Sequence, residues 1–209
     1  MRLKLPKIYP ITDKKLAGRS NHLSIIKELA RGGAQWIQVR DQSTPVRELL
    51  LDLKRCVEFA GSKGVTLLVN DRCDLALSCD AAGVHLGQED LPPEAARALL
   101  GRNRIIGYST HSLLQVRLAS KLPIQYIGFG PVYATSSKEN PSPVVGIAGL
   151  ARACNTSTEP VVAIGGIGLA QVAEVLQAGA ASVAVISALM TAASPARMME
   201  LFLEKAREI

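Results

Sequence analysis

The sequence predicts an α/β chain folded as a single-domain (β/α)8 TIM barrel over residues 1–209. Three observations carry this prediction. Eight short runs rich in aliphatic and β-branched residues alternate with eight amphipathic stretches along 209 residues. Two of the runs, VVAI (161–164) and VAVI (183–186), are continuously apolar, as strands covered on both faces are. The chain is 48% hydrophobic yet only 4% aromatic, which fits layered α/β structure better than a β-sandwich. No linker or shift in composition divides it, and its length suffices for one sizeable core. An open doubly wound sheet with two additional units is the alternative topology.

The first run, KIYPIT (7–12), precedes an amphipathic stretch at 20–33. WIQVR (36–40) precedes 45–63, where Leu49, Leu50, Leu53, Val57 and Ala60 recur at helical spacing. TLLVN (66–70) leads to 71–79, AGVHLG (82–87) to 93–100, and RIIGYS (104–109) to 111–121. QYIGFG (125–130) leads to 146–154, PVVAIGG (160–166) to 168–178, and SVAVIS (182–187) to 195–208. One connection is long: YATSSKENPSPVVG (133–146), a loop by its Ser, Thr, Pro and Asn content. Such connections in compact domains act as lids over active sites or are disordered inserts.

The net charge of +6 is scattered, with no long run of Lys or Arg. That argues against a nucleic-acid partner and for a basic cleft that receives an acidic small molecule. Cys56, Cys73, Cys79 and Cys154 lack zinc-type spacing and read as reduced thiols of a cytoplasmic protein. The first residues, MRLKLPKIYP, lack the apolar region of a signal peptide, and no apolar run is long enough to span a bilayer. No membrane partner is expected; a homo-oligomer is left open.

In such a barrel the active site lies at the C-terminal ends of the strands, and polar residues collect there at nearly every strand. Gln38, Arg40 and Gln42 alternate on one face of the second strand and beyond it. Asn70 and Asp71 end the third, and Asp90 follows the fourth. Asp71 and Asp90 could share a Mg2+ ion, which takes one or two carboxylates plus phosphate oxygens and water. Each could instead cap the next helix, and Glu89 is a competing ligand. Gly165 and Gly166 after the seventh strand, with Ser187 after the eighth, fit a phosphate cradle, or simply a tight turn. Ser109 ends the fifth strand. Arg40 offers a planar donor to phosphate, and Lys138 on the long loop is a second cation. His85 reads as a satisfied core histidine, His111 as a helix cap, and His22 as peripheral.

Taken together in order, YPITD (9–13), QVRDQ (38–42), NDRCDLAL (70–77), AGVHLGQEDLP (82–92), IIGYSTHS (105–112), GFGPVYATSSK (128–138) and VVAIGGIG (161–168) resemble thiamine phosphate synthases. The resemblance covers nearly the whole chain. It implies a transferase that joins a pyrimidine diphosphate to a thiazole monophosphate and releases pyrophosphate, with Mg2+ as cofactor. It implies that Gln38, Arg40 and Asn70 contact the pyrimidine diphosphate, that Asp71 and Asp90 bind Mg2+, and that Ser109 and Lys138 contact pyrophosphate or pyrimidine. Thr135, Ser137, Gly166, Ile186 and Ser187 would hold the thiazole phosphate. In this mechanism pyrophosphate leaves first and the thiazole nitrogen captures a pyrimidine-methyl cation. Arg40, Ser109 and Lys138 would assist that departure by positioning and neutralising charge.

One residue departs from the family pattern: Gln42 stands where members usually carry Lys, so a cation is missing unless Lys138 or Arg72 supplies it. Ser137 stands in place of a Thr. The departure leaves a rival in the related thiazole tautomerases, or in a non-catalytic thiazole-phosphate binder. Some tautomerases place a His where this chain has Pro131, and retention of Asp71 and Asp90 favours the synthase.

Overall fold

The computed structural model describes residues 3–135 and 142–209. The eight runs form parallel strands that close on themselves in sequence order, which excludes the open sheet. They are β1 (Ile8–Thr12), β2 (Trp36–Val39), β3 (Thr66–Asn70), β4 (Gly83–Leu86), β5 (Ile105–Thr110), β6 (Tyr126–Phe129), β7 (Val161–Ala163) and β8 (Ser182–Val185). Closure comes from β1 pairing with both β2 and β8, with Ile11 opposite Gln38 and Tyr9 opposite Ala184.

The helices are α1 (His22–Arg31), α2 (Val46–Ser62), α3 (Cys73–Ser78), α4 (Pro93–Leu100), α5 (Leu113–Ala119), α6 (Gly146–Thr156), α7 (Val172–Gln177), α8 (Ser187–Met190) and α9 (Pro195–Arg207). Their starts follow local chemistry. Asn21 and Ser112 accept the Ser24 and Gln115 amides as N-caps, and Ser194 caps α9 ahead of Pro195. In α2 the buried stripe is Leu49, Leu53, Cys56 and Ala60, one turn apart, so one face meets the barrel. Burying a side chain such as Leu53 completely contributes about 1.5–3 kcal/mol.

Most boundaries shift by a residue or two from the sequence reading, and three of the shifts bear on the site. Helix α3 begins at Cys73, not at 71, because Asp71 adopts a left-handed φ of 63° that no helix accommodates. Strand β7 stops at Ala163, since Gly165 and Gly166 turn the chain with φ of 101° and 64°. Ser187 does not end β8 but opens the short helix α8.

Two apolar layers result. One lies between strands and helices. The other fills the barrel with Tyr9, Ile11, Trp36, Leu68, Tyr126, Val162 and Ala184. Tyr9, Trp36 and Tyr126 meet edge to face, with ring centroids 5.9–6.4 Å apart. Glycines make room for these side chains. A Cβ at Gly107 of β5 would run into the Tyr126 ring, and one at Gly128 of β6 would lie 3.2 Å from the His85 ring. Polar groups lie above this layer, so the closed floor faces a polar mouth.

Candidate active site

The mouth is organised from the β2 side by a buried carboxylate. Asp41 accepts the Ser43 and Thr44 amides at 2.9 Å each and the Thr44 hydroxyl at 2.6 Å. Its Oδ2 also lies 3.0 Å from His22 Nε2 and 3.4 Å from Lys14 Nζ. Burial pushes this carboxyl up, but the bonds from Thr44, Ser43 and His22 outweigh it and hold it well below the usual carboxylate range. His22 is therefore not peripheral. It is fully buried, with Nδ1 2.8 Å from Thr12 Oγ1 and its amide donating to Asp52 at 2.6 Å. It joins β1, the β2–α2 loop and α2, three segments whose contact no local pattern announces.

That loop presents Arg40 and Gln42. The Arg40 guanidinium donates to Asp13 Oδ2 at 3.3 Å and to Gln42 Oε1 at 2.7 Å, while its side chain keeps 19% exposure to the mouth. Sequence reasoning passed over Asp13 as a partner; its place directly after β1 was the available signal. Arg72 pairs with Asp74, with Nε–Oδ1 at 2.8 Å, on the exposed surface.

Asp71 and Asp90 do come together. Burial first, and then the adjacent Asp90 carboxylate, pushes Asp71 up to about 7; Gln42 and the Arg40 charge pull it the other way. Neither residue caps a helix: α3 and α4 start after Arg72 and Pro92 without a side-chain cap, and Asp90 Oδ2 instead accepts the Gly87 amide at 2.6 Å. Two hard-oxygen donors crowded until one holds its proton fit a Mg2+ ion completed by phosphate oxygens and water. Among the described residues no larger group of His, Cys, Asp and Glu converges, and Glu89 lies exposed.

The floor of the mouth is a continuous hydrogen-bonded chain. Gln38 Nε2 donates to the Tyr9 hydroxyl at 2.8 Å. The Tyr9 and Tyr126 hydroxyls are 2.9 Å apart, Tyr126 lies 2.9 Å from His85 Nδ1, and His85 Nε2 lies 2.9 Å from Ser109 Oγ. Burial pushes Tyr9 up to about 12 and Tyr126 well above the usual phenol range, while it pushes the His85 imidazole down to about 4. All three are therefore neutral near pH 7. His85 is satisfied, as expected, on one side by Tyr126 of the barrel core and on the other by Ser109 at the mouth. Asn70 ends β3 beside it, in register with His85.

Across the mouth, Gly165 and Gly166 lie beneath the stem of the long connection. A Cβ on Gly166 would meet the Ala134 carbonyl oxygen, and one on Gly165 would meet Pro131 Cβ. The stem extends the β6–β7 pairing through Val132 to Ile164 (2.9 Å) and Tyr133 to Gly165 (3.0 Å), and the Tyr133 hydroxyl donates to Glu174 at 2.8 Å. Gly166 and Ser187 are exposed, Ile186 is half-buried, and Thr135 sits at the stem's end. Ser137 and Lys138, with much of the expected lid at 133–146, lie outside the described residues. His111 is not a cap: Ser112 caps α5, and His111 Nδ1 instead binds the Gly130 carbonyl at 2.6 Å. Cys56, Cys73, Cys79 and Cys154 are free thiols. Among the described residues no helix is long and apolar enough to cross a membrane.

A closed parallel barrel whose strand ends gather an arginine, two crowded carboxylates and a glycine turn belongs to the class of barrel enzymes that handle phosphorylated small molecules. Comparison with known proteins is more specific. The family model described as thiamine monophosphate synthase matches residues 8–189, and the chain belongs to that family, whose curated relatives are transferases. The thiamine-phosphate synthase of Roseiflexus sp. (strain RS-1) is 40% identical over 188 residues, covering 90% of this chain and 80% of the relative. That of Koribacter versatilis (strain Ellin345) is 42% identical over 195 residues, 90% of each chain. The structure of thiamine phosphate pyrophosphorylase from Pyrococcus furiosus superposes with a TM-score of 0.88 at 36% identity, covering 97% of this chain and 96% of the other.

Proposed function

We propose that this chain joins 4-amino-5-hydroxymethyl-2-methylpyrimidine diphosphate to thiazole monophosphate, giving thiamine phosphate and pyrophosphate. The observation that carries this reading is the crowded Asp71–Asp90 pair facing Arg40 and Gln42 across one mouth. A reaction whose leaving group is pyrophosphate needs charge to be neutralised and held in place, and the mouth offers those groups without an activated nucleophile.

Asp71 and Asp90 would hold Mg2+. Bound there, the ion supplies positive charge to the diphosphate. Arg40, Ser109 and Lys138 bind the diphosphate oxygens with Gln42 beside them, while Gln38 and Asn70 orient the pyrimidine end. The bond between the pyrimidine methylene carbon and the diphosphate oxygen breaks, and its electron pair leaves with pyrophosphate. The thiazole nitrogen then donates its lone pair to the methylene carbon. Thr135, Ser137, Gly166, Ile186 and Ser187 hold the thiazole phosphate so that this nitrogen faces the cation. The free thiols support a cytoplasmic setting for the reaction.

Incubating purified protein with both substrates and MgCl2 should yield thiamine phosphate and one equivalent of pyrophosphate. Absence of product overturns the reading. Binding of thiazole phosphate without binding of the pyrimidine diphosphate would move the assignment to a tautomerase or a binder.

A further inference from the structure

The chain from Gln38 to Ser109 crosses the barrel from β2 through β1, β6 and β4 to β5, and its hydrogens can be counted. The Gln38 amide nitrogen can only donate, so Tyr9 Oη accepts from it. Among the described residues its other polar neighbours are Trp36, whose ring N–H can also only donate, and Tyr126, 2.9 Å away, and Tyr9 is 1% exposed. If Tyr126 donated to Tyr9, the Tyr9 hydrogen would be left buried without an acceptor. Tyr9 therefore donates to Tyr126. The Tyr126 hydrogen then goes to His85 Nδ1, which must be unprotonated, and the neutral ring carries its hydrogen on Nε2, facing Ser109 Oγ. Ser109 accepts this hydrogen and is left with its own O–H directed away from His85.

We propose that His85 is a positioning residue: as the Nε2–H tautomer it fixes the Ser109 hydroxyl as a hydrogen-bond donor into the mouth, aimed at a phosphate oxygen. The aim at phosphate rests on the function proposed above; the direction of the chain does not. Gly107 and Gly128 clear the space taken by the Tyr126 and His85 rings, so the rings of the relay keep one geometry and only its hydrogens have two possible directions. A hydroxyl oriented in advance loses less freedom on binding an anion than one that must reorient. In the reverse polarity Ser109 would donate to His85 and turn lone pairs toward the anion.

Long-range 1H–15N NMR of the histidine-labelled full chain reads the tautomer directly, with His85 assigned by its loss in His85→Gln. The expected spectrum shows His85 protonated at Nε2. An Nδ1–H tautomer means that the chain runs the other way and overturns the proposal. Tyr126→Phe removes one oxygen and cuts the relay upstream. It should give a mixed tautomer and weaken binding of inorganic pyrophosphate with MgCl2 roughly three- to tenfold. Ser109→Ala should weaken it similarly, and the double variant should bind no more weakly than Ser109→Ala alone. Additive losses, or an unchanged tautomer in Tyr126→Phe, overturn the relay. A chain that makes no thiamine phosphate yet shows Nε2–H in the wild type and the mixed tautomer in Tyr126→Phe supports the relay while removing the proposed reaction.

Discussion

Asp41 and Asp71 both lie near the loop that carries Arg40, yet their surroundings move them in opposite directions. Asp41 is saturated with donors from Ser43, Thr44, His22 and Lys14 and is held ionised. Asp71 is half-buried beside a second carboxylate and is pushed up to about 7. The first carboxylate is committed to the fold. The second is short of positive charge, which is what the proposed Mg2+ and diphosphate would relieve.

The largest expected effect tests that division directly. Asp71→Asn should lower coupling activity by about 100-fold or more while circular dichroism stays unchanged, since one electrostatic partner at a reacting centre carries about that much. Activity retained in Asp71→Asn but lost in Asp41→Asn with an intact fold would reverse the two roles.

Asp41→Asn should act on the fold instead. Neutralising a buried, multiply bonded carboxylate weakens its charge-assisted bonds and costs about 2 kcal/mol by urea denaturation. The pH dependence has a definite sign. A carboxyl whose folded value is depressed gives stability that is present above the unfolded value of 3.8 and is lost as pH falls through the folded one. Asp41→Asn should therefore flatten the acid side of the stability profile.

Asp71 works the other way. Between its unfolded value of 3.8 and about 7 the folded chain holds the extra proton, so stability falls as pH rises through that window. A cation must displace that proton below pH 7. Calorimetric affinity for Mg2+ should be about tenfold higher at pH 8 than at pH 6, and Asp71→Asn should remove the difference. The smallest effect belongs to Gln42→Lys. A lysine cannot accept from Arg40, so it frees the guanidinium and adds a cation beside Asp71. Coupling kcat/KM should rise about threefold, on the scale of an exposed charge pair; no change would show that another cation already serves.

Much of this was legible in the sequence for particular reasons. Continuous apolar runs marked the strands, and helical spacing marked the faces laid on them. Polar residues at strand ends then gave Arg40, Asp71 and Asp90 by position alone. What was not legible depends on backbone angles or on partners distant in sequence. The left-handed turn at Asp71 is not written in its side chain. His22 looked peripheral because its partners Thr12 and Asp41 belong to other elements. Tyr9 and Tyr126, 117 residues apart, read only as strand residues. Gly107 and Gly128 were the available hint, since glycine inside a strand marks close approach.

Those two glycines also govern the order in which this sequence can change. Gly107 is an absence shaped to one ring, so even alanine there displaces Tyr126 and, with it, the link between two strand ends. A lineage that fills position 107 must first shrink the residue at 126. A lineage that keeps the tyrosine keeps the gap. The two positions are therefore expected to be energetically coupled, each substitution costing more alone than beside the other. The same atoms that close the barrel's floor thus tie the evolution of its core to that of its mouth.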